Sequence, residues 1–73
     1  ISIYPNPADN QFFIQSNGLP YRVSIKDMSG KTVSSCTING TVSTVSTEHL
    51  KKGLYIVTVE NDKVSKTEKL VIN

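Results

Sequence analysis

The chain has 73 residues, a formal net charge of +2, one cysteine and one histidine. A chain of this length builds one thin-cored domain, hiding roughly 60% of its unfolded surface, and a lone Cys36 and His49 leave neither a disulfide nor a metal staple. Scattered lysines, with only Lys51 and Lys52 adjacent, do not make a nucleic-acid stripe, and no apolar run nears the ~20 residues of a membrane helix.

Serine and threonine are abundant while alanine occurs once, a composition suited to pleated strands and to an exported module. Ile1 and Ile3 alternate with Ser2 and Tyr4, which predicts a short first strand. Ile1 falls mid-strand by this pattern, so residues 1–73 read as a single domain excised from a longer protein. Tyr4-Pro5-Asn6-Pro7-Ala8 follows. Each proline lacks an amide donor and pushes the residue before it towards extended geometry, so the segment reads as a stiff corner.

Phe12 and Ile14 then share one face, opposite Gln11, Phe13 and Gln15. Asn17-Gly18 marks a turn that Pro20 closes. Tyr21, Val23 and Ile25 alternate with Arg22, Ser24 and Lys26 in the cleanest strand. Asp27 to Lys31 is a tight connection, with Asp27 able to bond forward and Gly30 free to take positive φ. In the partner strand, Thr32 to Ile38, the apolar phase slips between Val33 and Cys36, as a bulge would cause. Asn39-Gly40 reads as a second hairpin signal. Thr41 to Thr47, with Val42 and Val45 out of phase, reads as an edge strand or an irregular crossing.

Glu48 to Gly53 is expected to be a loop or a single helical turn, pinned by Leu50 and ended by Gly53. Leu54 to Val59 is the likeliest central strand, with Tyr55, Val57 and Val59 facing the core. Asn61-Asp62 turns the chain into a last strand carrying Val64, then Leu70 and Ile72 in one phase with Val71 in the other. Together these elements predict an all-β immunoglobulin-like antiparallel sandwich of about seven short strands, with a small Greek-key barrel as the alternative. The disulfide and buried tryptophan of antibody domains are missing, so that likeness is architectural.

The sequence offers little chemistry. His49 reads as a surface loop residue and Cys36 as a small buried hydrophobe facing the interior, which leaves no nucleophile with its base. Asp9, Asp27, Glu48, Glu60, Asp62 and Glu68 fall near turns or on outward strand positions, without an acid–base pair. The isolated glycines form no phosphate loop. Asn39-Gly40-Thr41 matches a glycosylation sequon that matters only on a eukaryotic secretory route. Tyr21 and Tyr55 alternate into the core, which leaves too few exposed aromatics for a carbohydrate platform. No enzyme activity and no cofactor are expected.

Four segments taken in order resemble one family along essentially the whole chain: the C-terminal sorting domains of type IX (Por) secretion cargo from Bacteroidetes. Tyr4-Pro5-Asn6-Pro7-Ala8 looks like its opening motif, followed by Phe12 and Ile14. Val23 to Lys31, with Gly30, looks like its strand and Gly-basic turn. Leu50, Gly53 and Tyr55 match its Leu-x-x-Gly-x-Tyr element, and Lys69-Leu70-Val71-Ile72 its final run. Phe13, Cys36 and Asn73 depart from the pattern.

The resemblance implies a folded, non-catalytic secretion signal that follows a cargo domain. The cargo would fold in the periplasm, meet the outer-membrane translocon and commonly be cut by a sortase-like protease upstream of Ile1. It would then be attached to anionic lipopolysaccharide at the cell surface or released. Lys69, Leu70, Val71 and Ile72 are expected to contribute to recognition, the alternative being that Leu70 and Ile72 are core and Lys69 only faces solvent. The proline corner is expected to orient the domain against its cargo. An edge strand would allow weak homodimerisation. The rival readings are an accessory sandwich that binds glycan or supports a neighbouring enzyme, and a domain that docks on the machinery without being cut.

Overall fold

Alternation of apolar and polar residues dictates strands, and the computed structural model, which describes residues 1–73, contains no helix. β1 (Ser2–Tyr4), β2 (Gln11–Gln15) and β5 (Val42–Ser46) form a three-stranded antiparallel sheet in the order β1-β2-β5. β3 (Tyr21–Lys26), β4 (Thr32–Ile38), β6 (Gly53–Glu60) and β7 (Ser65–Ile72) form a four-stranded one in the order β4-β3-β6-β7. The two sheets share no ladder, which selects the sandwich over the barrel. β6 lies between β3 and β7, the central place its apolar run demands.

The core forms where the inward phases of both sheets meet. Phe12 and Ile14 come from β2, Val23 and Ile25 from β3, Val57 and Val59 from β6, and Leu70 and Ile72 from β7. Ala8 is buried with them although it belongs to no strand. Thr47 is the one buried polar residue, and its hydroxyl donates to the Asp9 carbonyl at 2.8 Å.

Three expectations change. Asn39-Gly40 does not make a hairpin, because β4 pairs only with β3 and β5 only with β2. It carries the chain between sheets, held by Ser16, whose N–H donates to the Thr41 carbonyl and whose hydroxyl donates to the Gly40 carbonyl. Cys36 is exposed, not buried. Its register opposite Val23 does give it the inward phase, but β4 is an edge strand and the narrower sheet does not cover it. The phase slip expected in β4 is a bulge: Ile25 pairs with Ser34 and Lys26 with Thr32, leaving Val33 as the extra residue. Glu68 also departs from its expected outward position. It pairs with Val57 on the core side of β7 and is half-buried, as is Lys66 opposite Val59.

Candidate recognition surface

The residues singled out in the sequence divide into those that build the fold and those that reach its surface. Gly30 belongs to the first group. Its φ of +90° closes the β3–β4 turn, with its N–H donating to the Asp27 carbonyl at 3.0 Å. The Asp27 carboxylate accepts from the Ser29 hydroxyl at 2.6 Å and from the N–H groups of Ser29 and Lys31 at 2.9 and 3.1 Å. The hydroxyl contact, more than the backbone bonds, holds this carboxyl below its ordinary range.

Gly53 and Tyr55 are structural as well. Gly53 opens β6 at a φ of +152°, with no atom near enough to crowd a side chain, so the backbone conformation is what calls for glycine there. Tyr55 is buried, and its hydroxyl donates to the Lys51 carbonyl at 2.6 Å, four residues upstream. A tyrosine at the start of such a strand that bonds back across the corner is the tyrosine corner of immunoglobulin-like sandwiches. Leu50 packs against the core beside it. The Leu-x-x-Gly-x-Tyr spacing therefore encodes a fastening of the β5–β6 crossing.

The other two segments meet. Proline on both sides of Asn6 keeps the corner out of the ladder of either neighbouring strand, and the corner lies along the outer edge of β7 instead. Ala8 donates its N–H to the Val71 carbonyl at 2.8 Å and accepts the Asn73 N–H at 2.9 Å, a parallel bridge in an otherwise antiparallel fold. Two residues earlier on both segments, the side chain of Asn6 makes the same pair of bonds. Its Nδ2 donates to the Lys69 carbonyl at 2.8 Å, and its Oδ1 accepts the Val71 N–H at 3.1 Å. Asn73 adds a bond from Nδ2 to Asp9 Oδ1 at 3.3 Å. Pro5, Asn6 and Pro7 are exposed, and Tyr4 stacks on Phe13 with ring centroids 5.6 Å apart.

In the final run, Leu70 and Ile72 are sealed in the core at 0% and 3% exposure, whereas Lys69 and Val71 face outward. Val71 pairs directly with Leu54, and the two are 39% and 37% exposed. In the next row Lys69, half-buried Ile56 and Lys26 lie side by side across β7, β6 and β3. An apolar spot flanked by two ammonium groups thus sits on the outer face of the wider sheet. Leu54, Ile56 and Lys26 were not singled out beforehand. Their signal was present, since Leu54, Ile56 and Val71 are apolar residues in the polar phase of their strands.

Catalytic geometry is not assembled. His49 is exposed beside Asp27, Lys31 and Tyr55 in a shallow depression that does not include Cys36. Partial burial alone pushes the Cys36 thiol up, away from the reactive thiolate. No three His, Cys, Asp or Glu side chains are grouped to hold a metal.

Among known proteins, a family model described as the secretion system C-terminal sorting domain matches residues 2–73. No curated protein matches the chain.

Proposed function

The chain belongs to the secretion system C-terminal sorting domains, the sorting signals of type IX secretion, and from that membership we propose how it serves its cargo. The domain follows a cargo domain that folds in the periplasm. It presents itself there to the outer-membrane translocon and is removed by a sortase-like protease that leaves the cargo on cell-surface lipopolysaccharide. The domain itself is non-catalytic. The observation that carries the reading is the length of the match, which takes in the corner, the Gly30 turn, the tyrosine corner and the last strand together.

Recognition at the last strand falls to Lys69 and Val71. Leu70 and Ile72 are enclosed and act by holding the strand in place. The glycan-binding alternative loses two of its three tyrosines, since Tyr21 and Tyr55 are buried and only Tyr4, 40% exposed beside Phe13, reaches the surface.

The test fuses the domain to a periplasmic reporter in a bacterium with a working type IX system. Delivery of the reporter to the cell surface is expected, and retention in the periplasm refutes the assignment. Lys69→Glu with Val71→Ser, which spares the core, is expected to reduce delivery several-fold without unfolding the domain. Normal delivery by that variant overturns the role given to the two side chains.

A further inference from the structure

The bonds around Asn6 are those of a strand neighbour. A parallel ladder advances two residues on each chain from one rung to the next, and the corner advances from Ala8 and Ile72 to Asn6 by that step. At the second rung the side-chain amide, with one carbonyl and one NH2, stands in for a peptide group. The consequence lies in the outward-facing groups of the last strand. The carbonyls of Lys69 and Val71 and the N–H groups of Val71 and Asn73 are all taken. A partner cannot add a strand there while the corner is in place.

We propose that Asn6 is a positioning residue of the sorting signal: its side chain completes the ladder along Lys69 to Asn73, so that the machinery reads outward side chains, not a free backbone edge. This rests on the sorting reading above. It assigns the proline corner a different task from setting an angle to the cargo. The corner closes the edge and holds Lys69 and Val71 flat beside Ile56 and Leu54. Asn6 acts through the strand and needs no contact with the partner.

The experiment compares export of the reporter fusion by the unaltered domain and by Asn6→Ala, Asn6→Asp and Ile38→Val, with amide hydrogen exchange and thermal unfolding measured on each purified domain. Ile38 is a buried residue on β4, away from the corner, and its loss of one methylene group supplies a destabilised control. Asn6→Ala is expected to speed exchange of the Val71 amide at least tenfold, leave the Leu70 amide (directed towards β6) unchanged, and cut export several-fold. Asn6→Asp keeps the acceptor for Val71 and loses the donor to Lys69, so it is expected to fall between. Ile38→Val is expected to export normally.

Unchanged Val71 exchange in Asn6→Ala overturns the proposal. Export that is unchanged or raised also overturns it, since a strand-adding partner gains when the edge is freed. So does an equal loss in Ile38→Val, which reduces the effect to stability. Should Asn6→Ala fail to fold, Asn6→Asp carries the export comparison, because it loses the donor to Lys69 and keeps the acceptor for Val71. Export equal to that of the unaltered domain then overturns the proposal. Failure of the unaltered fusion to leave the periplasm rejects the sorting reading, and the exchange result still decides whether Asn6 holds the strand.

Discussion

The two edges of the four-stranded sheet meet one hazard by different means. Both β4 and β7 present backbone groups that could pair with another chain. Along β7 the half from Lys69 onward is closed by the corner, and the other half carries Lys66 and Glu68 on its core side. Charges pointing inward discourage an added strand, because a partner would have to cover them. Lys66 also reaches across to the other sheet, donating to the Ile1 carbonyl at 3.1 Å. Along β4 nothing is laid over the edge. Its bulge at Val33 breaks the regular ladder, and Ser34, Ser35 and Thr37 keep it polar. One edge is built into the fold and the other is made unattractive, so substitutions on the two edges should cost very different amounts.

The largest expected difference is between Leu70→Ala and Cys36→Ala. The first empties a fully buried site beside the closed edge and should cost about 2–5 kcal/mol. Total stability for a chain this size is on the order of 4–11 kcal/mol. The second removes an exposed thiol and should stay within about 0.5 kcal/mol. Urea titrations of both variants measure the gap, and equal losses would break the comparison.

Ala8→Val tests the corner as part of the core. Overpacking a site with no exposed surface should cost about 1–3 kcal/mol in thermal unfolding. A neutral result would make the corner a loose flap. Tyr55→Phe removes a fastening that belongs to neither edge. Loss of the bond to the Lys51 carbonyl should cost about 1 kcal/mol by guanidinium titration, with both edges intact by hydrogen exchange.

Asp27 guards the turn from which β4 starts, and its effect is smaller. Its folded carboxyl lies below the ordinary value of 3.8, so its stabilisation is present above that pH. It is lost as pH falls through the lower, folded value. Melting temperature should therefore drop on strong acidification, and Asp27→Asn should flatten that dependence. The smallest effect is kinetic. Cys36 should react with a thiol reagent in the folded protein, slowly at neutral pH and faster as pH rises past the ordinary thiol range. A thiol that reacts only after unfolding would place it in the core after all.

Most strands were legible because the signal for them is local. Tyr21 to Lys26 carries its period on its face, Leu54 to Val59 is a short bounded apolar run, and Gly30 and Asp27 announce their turn. Cys36 was misplaced although its phase was right, because phase tells which side a residue faces and not whether the opposing sheet extends that far. Glu68 was misplaced because a charged residue in a strand suggests solvent, and edge strands reverse that expectation. Asn39-Gly40 looked like a hairpin since the dipeptide specifies a bend and not the sheet that receives the next strand. Tyr55 read as core, but the bond of its hydroxyl to Lys51 depends on the path of the crossing.

The sequence by itself determined that this chain is all-β, where its strands fall, and which family its ordered motifs resemble. All of these rest on neighbours within a few residues or on spacing along the chain. Only the tertiary structure decided that the first motif and the last are one feature. Asn6 and Lys69 are 63 residues apart, and no local propensity connects them. They meet because both sheets must close over one small core, which brings the proline corner against the outer edge of β7.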